Sequence, residues 1–245
     1  MSRQDVLVVT DLCVDYGYGP VVNGMSLEVN RGEVVAVVGT NGAGKTSTLR
    51  AIAGFVHSTG SVAYDGELSS LAPFRRARHG IVLVPDNRGL FGPLNVRDHL
   101  WLACEGRSRP DSGVLAGVVD LFPVLGQRMR QQAGSLSGGE QQMLTMAMAL
   151  LAEPDFLLID ELSTGLAPIL VNRLFESVQT IARERNIGVV LVEQFVAEVL
   201  GIADRAIVMS RGRTALAGQA RDLQARMTDV AAAYFGADPT TAEAS

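Results

Sequence analysis

Lys45 is the only lysine among 245 residues; every other basic side chain is an arginine or one of three histidines. It lies in GTNGAGKTS, residues 39–47, which fits G-x-x-x-x-G-K-[ST] at Gly39, Gly44, Lys45 and Thr46. Glycines let such a loop turn its backbone N–H groups inward around phosphate oxygens. The helix that follows adds partial positive charge at its N-terminus. A lysine there is a compact point charge for β- and γ-phosphates, whereas the larger planar fork of arginine does not sit in the same nest. A chain biased toward arginine thus keeps lysine where arginine cannot replace it. Asn41, Gly42 and Ala43 complete the loop, Thr46 offers its hydroxyl to Mg²⁺, and Ser47 offers one to the α-phosphate. The competing reading is a chance match in a glycine-rich chain. The apolar run VVAVV before the loop and KTSTLRAIAG after it, a buried strand and a helix, weigh against chance.

Two further stretches belong to the same chemistry. FLLIDE, residues 156–161, is four apolar residues and two acids at the end of a strand. Asp160 is placed to hold Mg²⁺ through water, and Glu161 is the candidate base for the attacking water. LSGGEQQ, residues 136–142, opens a helix with Ser137, Gly138 and Gly139. As local structure it is an N-cap with a flexible lead-in. As chemistry it is a second anion-ready helix N-terminus. One nucleotide needs one phosphate loop, so the economical assignment gives the second surface to a nucleotide held by another subunit.

The elements that must position these groups alternate. VLVVTDLCVDY and MSLEVN have the period-two pattern of half-buried strands, and SVAYDG reads as a strand into an Asp65-Gly66 turn. VVAVV, IVLVP, FLLID, VVLVE and AIVMS read as strands covered on both faces. Between residues 86 and 148 the pattern turns helical, in VRDHLWLAC, VLAGVVDLF and GEQQMLTMAMALLA, with GRSRPDSG as a polar loop. LVNRLFESVQTIARERN is an amphipathic helix. Strands alternating with helices predict an α/β fold with a parallel sheet. A single domain is expected over 1–245: a core from 1–85 and 150–236, a helical insertion at 86–149, and a disordered tail at 237–245.

Composition narrows the partners. Apolar residues make up 47% and the net charge is −5, so no basic face marks nucleic acid as a partner. The start, MSRQDVLVVTDL, lacks a signal-peptide pattern, and no uncharged run approaches the roughly 18 apolar residues of a membrane span. Cys13 and Cys104 have no metal spacing and read as reduced thiols. Mean hydropathy is +0.21, which reads as a large core, or as a large core with a docking face added.

LSGGEQQ, with the phosphate loop and the acidic pair, resembles the ATP-binding subunits of ABC transporters across nearly the whole chain. The resemblance implies a RecA-like P-loop NTPase core with an N-terminal antiparallel β subdomain and an inserted α-helical subdomain. It implies ATP and Mg²⁺ as cofactors and a head-to-tail pair of ATPase subunits. Each ATP would lie between the phosphate loop of one subunit and Ser137, Gly138 and Gly139 of the other. Tyr16 in CVDYG matches the aromatic residue that stacks on adenine, with Tyr18 as its rival. LSGGEQQM, GLAP, LVEQ, LFPVL and AYFG are similar to the LivF-type subunit of branched-chain amino-acid importers, and urea and amide importer subunits share most of this pattern. That resemblance implies an unlike ATPase partner, integral-membrane permease subunits, and a peripheral place on the cytoplasmic face of the membrane without insertion into it. FGPLNV, with Phe91, lies where a short helix of the membrane subunit docks in the family.

Three positions depart from the common ABC pattern. Asp86 stands for a glutamine and is one methylene shorter, which shortens its reach to Mg²⁺ or the attacking water. Gln194 stands for a switch histidine; it can hydrogen-bond the γ-phosphate but carries no charge. Ala167 stands for an aspartate. Within the LivF branch, Leu162 replaces a proline and is expected to loosen the turn after Glu161. These substitutions motivate a rival reading, a slowly hydrolysing nucleotide switch, against which Glu161 argues. A soluble ABC ATPase without a membrane partner is a third reading, and a kinase or GTPase has no use for LSGGEQQ. His57, His79 and His99 lack metal spacing, Met143, Met146 and Met148 read as packing, and Arg75, Arg76 and Arg78 as a solvated face.

Overall fold

A computed structural model describes residues 5–104 and 112–236. The loop GRSRPDSG falls largely outside them, and the tail at 237–245 falls wholly outside. Strands β1 (Val6–Asp15), β2 (Pro20–Asn30) and β4 (Thr59–Ala63) form an antiparallel sheet in the order β2-β1-β4. The second sheet has six strands in the order β5-β6-β7-β3-β8-β9. These are β3 (Val34–Val38), β5 (Ile81–Val84), β6 (Phe156–Asp160), β7 (Gly188–Glu193), β8 (Arg205–Ser210) and β9 (Arg213–Gln219). The first five are mutually parallel and β9 runs antiparallel to β8.

The continuous apolar runs are explained by what covers each face. Along β3, β6 and β7 alternate residues enter two separate cores. Val34, Ala36, Leu157, Ile159, Val189 and Leu191 face the core built with helices α3 (Val96–Leu102), α4 (Ser112–Leu121), α5 (Pro123–Gln127), α6 (Gly138–Leu151) and α7 (Pro168–Arg185). Val35, Val37, Leu158, Val190 and Val192 face the other core, shared with the antiparallel sheet and α1 (Lys45–Ile52). A sheet sandwiched in this way has no polar face to display, so its strands show no alternation.

Helix α1 ends as the sequence requires, with Gly54 at φ +83 just past its last turn. The carbonyls left over there are met by Arg76 from α2 (Pro73–Arg78). Its guanidinium donates to Ala51 O (2.8 Å), Ile52 O (2.7 Å), Leu71 O (3.0 Å) and Ser69 O (2.7 Å). Arg76 is 2% exposed, so the reading of Arg75, Arg76 and Arg78 as one solvated face is corrected: the middle arginine is a buried cap. Leu162, in the turn after Glu161, has its side chain buried in the helical-side core. The remaining helices are α8 (Val196–Leu200), α9 (Ala220–Gln224) and α10 (Met227–Phe235).

Candidate functional site

Strands β3, β6 and β7 are neighbours and parallel, so their carboxyl ends open on one place, the usual position of a ligand crevice in an open α/β sheet. β3 delivers the glycine loop. A Cβ at Gly39 would lie 2.4 Å from Met209 O, and one at Gly44, where φ is +102, would lie 2.6 Å from Val21 O. Both glycines are therefore set by backbone packing. Gly44 is also the N-cap of α1 and supplies no capping side chain, and no acid occupies the first turn. The leading N–H groups of that helix are left for an external anion.

Lys45 is buried, and its Nζ donates to Gly39 O (2.8 Å) and Thr40 O (3.1 Å). Burial lowers its pKa, opposed by the carboxylates of Glu161, Asp160 and Glu193. Thr46 Oγ1 donates to Asp160 Oδ1 at 3.0 Å. Two oxygen donors meet there, one from the helix and one from β6, as a hard octahedral cation with several water ligands requires. Burial pushes the Asp160 carboxyl up to about 6; the Thr46 hydrogen bond and Arg50 oppose this, while Asp86 and Glu161 add to it. A divalent cation at that place would reverse the effect. Asp86 lies on the loop after β5 and faces Arg50 at 3.7 Å.

Glu161 follows Asp160 with φ +50, an uncommon conformation for a side chain of its size. Its Oε1 accepts from Gln194 Nε2 at 2.9 Å and its Oε2 from Thr164 Oγ1 at 3.0 Å. A carboxylate so aimed can take a proton from a water beside it. A cavity of about 140 Å³ brings Asn41, Gly42, Gly44, Lys45, Thr46 and Ser47 together with Glu161. Tyr16 OH donates to Ser47 Oγ at 3.2 Å, at the rim of this cavity, while Tyr18 is fully exposed.

Ser137, Gly138 and Gly139 do not line that cavity. They begin α6, where Ser137 Oγ accepts from Glu140 N at 3.4 Å and Glu140 Oε2 accepts from Ser137 N at 2.9 Å, a reciprocal capping box. Arg88, two residues beyond Asp86, donates to Gln141 Oε1 (2.7 Å) and Gln142 Oε1 (3.3 Å) and ties the Asp86 loop to this helix. Sequence reasoning passed over Arg88, Thr164, Ser163 and Glu193. Only Glu193 left a trace in the sequence, as a charge closing the apolar run VVLVE.

A phosphate loop, an acid pair at the end of a strand one removed from it in the sheet, and a second glycine-led helix outside the cavity make a nucleotide site with a detached half. The sequence pattern of the family described as ABC transporter matches residues 22–164. The chain belongs to the ABC transporter family of ATP-binding proteins. Among its relatives, the high-affinity branched-chain amino acid transport ATP-binding protein BraG of Pseudomonas aeruginosa is 40% identical over 81% of this chain and 86% of BraG. A probable branched-chain amino acid transport ATP-binding protein, LivF of Archaeoglobus fulgidus, is 35% identical over 80% of this chain and 84% of that protein. The lipopolysaccharide export system ATP-binding protein LptB of Escherichia coli is 34% identical over 84% and 87%. An ABC transporter cassette solved in its ADP conformation superposes with TM-score 0.81 at 23% identity, covering 96% of this chain and all of that one, and so shares the fold. This ABC protein is thus an ATPase that couples ATP hydrolysis to transport, and such subunits work with membrane permease components. Among its described residues no helix is long and apolar enough to cross a membrane.

Proposed function

We propose that the chain is the ATP-hydrolysing subunit of an importer for branched-chain amino acids. The 40% identity with BraG carries this reading. It is supported by GLAP and LVEQ, which remain in place around Glu161 and Gln194. Lys45, Gly39, Gly44 and the backbone of Asn41, Gly42 and Ala43 hold the phosphates, Ser47 the α-phosphate, and Tyr16 covers the adenine. Thr46 and Asp160, with Asp86 near them, hold Mg²⁺, which neutralises charge on the β- and γ-phosphates when bound. Glu161 orients the attacking water and accepts its proton, and Gln194 fixes the carboxylate that does so. Ser137, Gly138 and Gly139 serve the ATP of an unlike partner subunit.

The helical subdomain, 86–149, and the core, 1–85 with 150–236, meet the permease from the cytoplasmic face of the membrane. An open groove of about 790 Å³ is lined by Phe55, Phe74 and Pro85. Phe91 stands 57% exposed on a loop whose backbone N–H is held by His99 Nε2 at 2.9 Å. Exposed aromatics on pinned backbone suit docking.

The direct test is leucine uptake in a Pseudomonas aeruginosa strain lacking BraG, complemented with this chain. Restored uptake, lost again with Glu161→Gln, is the expected result; a folded, ATP-binding chain that restores none contradicts the solute assignment. A second reading, a slowly hydrolysing switch, is favoured by the uncharged Gln194 bonded to Glu161. It would give nucleotide binding without turnover even in the assembled transporter.

A further inference from the structure

Glu193 is fully buried at the end of β7, the strand between the one that delivers Lys45 and the one that delivers Glu161. No role above uses it. Both its oxygens are occupied: Oε1 accepts from Ser163 N at 3.0 Å, and Oε2 accepts from Ser163 Oγ at 2.6 Å and from Gln194 N at 3.2 Å. Burial raises its pKa, against the pull of these same bonds.

The placement of those bonds is what matters. The last rung between the two strands is Glu161 N to Val192 O at 3.0 Å. Past it both chains leave the sheet: one continues through Glu161 into Leu162, Ser163 and Thr164, the other into Gln194. Thr164 and Gln194 are the two residues that hold the Glu161 carboxylate. Beyond the final rung, Glu193 ties these two departing segments together, gripping the residue before Thr164 on one side and Gln194 on the other. A buried carboxylate costs several kcal/mol in lost hydration, and an apolar residue would close a buried strand at less cost. Where such a group persists with every bond spent beside a reacting centre, geometry is the gain to look for.

We propose that Glu193 is a positioning residue for hydrolysis: by fixing Ser163 to Gln194 it holds the Glu161 carboxylate in one place above the phosphate loop. It does not line the cavity at the phosphate loop and acts through Thr164 and Gln194. The inference rests on the assignment of Glu161 as the base.

The test is Glu193→Gln in the full chain, with kcat and KM measured in the transporter assembled with its partner subunits and ATP affinity and melting temperature measured on the chain itself. The amide keeps the size but exchanges one of the two acceptor oxygens for an NH₂, so either Ser163 N–H or Gln194 N–H is left facing a donor. The expected result is a fall in kcat of at least about tenfold with KM, ATP affinity and melting temperature near wild type. In a Glu161→Gln background Glu193→Gln should change nothing more. Unchanged kcat overturns the proposal. So does a fall in melting temperature and ATP affinity with kcat retained, which would mark a structural staple. If Glu193→Gln does not fold, Ser163→Ala alone carries the test, with a drop in kcat at constant KM expected and unchanged kcat overturning it. Full activity in Glu161→Gln would remove the base assignment itself; loss there with normal turnover in Glu193→Gln would overturn this inference alone.

Discussion

Two helices in this chain begin with glycine-led motifs, and they begin differently. Helix α1 starts at Gly44 in a left-handed conformation, with no capping side chain and no acid in its first turn. Helix α6 starts at Ser137 with a complete capping box and Glu140 in its first turn, itself paired with Arg128 at 2.9 Å. The first leaves its N–H groups unmet and brings Lys45 beside them. The second satisfies part of its own end and carries an acid there. Under the function proposed above, the difference would separate a site ready for an anion in the single chain from a surface that meets its anion when another subunit brings it. This is how a head-to-tail pair of ABC subunits would make nucleotide binding and assembly distinct steps.

The comparison can be broken most severely at the phosphate loop. Gly44→Ala would place a Cβ 2.6 Å from Val21 O in a backbone with φ +102. That should cost about 3 kcal/mol or more and remove ATP binding, measurable by calorimetry and melting. Lys45→Arg should leave stability intact and weaken ATP by at least about tenfold. The far end of α1 comes next. Arg76→Ala removes the side-chain donor from four carbonyls, of which Ala51 O keeps Gly54 N, and should cost about 3 kcal/mol, read from the denaturation midpoint, with ATP affinity unchanged. At the start of α6, Ser137→Ala removes one side of the capping box and should cost only about 1 kcal/mol.

The smallest effect concerns the sheet beneath both helices. Glu33 is pushed up by burial, but hydrogen bonds from Arg205 and Asn30 outweigh this and leave its pKa below 4.5. A depressed carboxyl stabilises the fold above its unfolded pKa, and that stability is lost as pH falls through the folded value. Unfolding free energy measured between neutral pH and pH 3 should therefore fall less steeply for Glu33→Gln than for wild type.

The legible parts of the molecule were local. The phosphate loop, the acid pair and LSGGEQQ are each contiguous, and buried strands announce themselves as apolar runs. What escaped depends on contacts distant in sequence. Arg76 looks like any exposed arginine until Ala51 and Ile52, 25 and 24 residues away, are seen to need a cap. Glu193 and Ser163 are 30 residues apart. Strand β9, RTALAGQ, was not anticipated because it is mostly exposed and its residues are weak strand formers; pairing with β8 decides it. The burial of Leu162 escapes for the same reason, since the core into which it packs is assembled from distant helices.

The central claim is that Lys45 and Ser137 of one chain serve different nucleotides. Equilibrium ATP binding to the isolated chain, at concentrations too low for pairing, tests it directly with wild type, Lys45→Ala and Ser137→Ala. The account predicts wild-type affinity for Ser137→Ala and loss for Lys45→Ala. A loss of affinity in Ser137→Ala matching that in Lys45→Ala would contradict it.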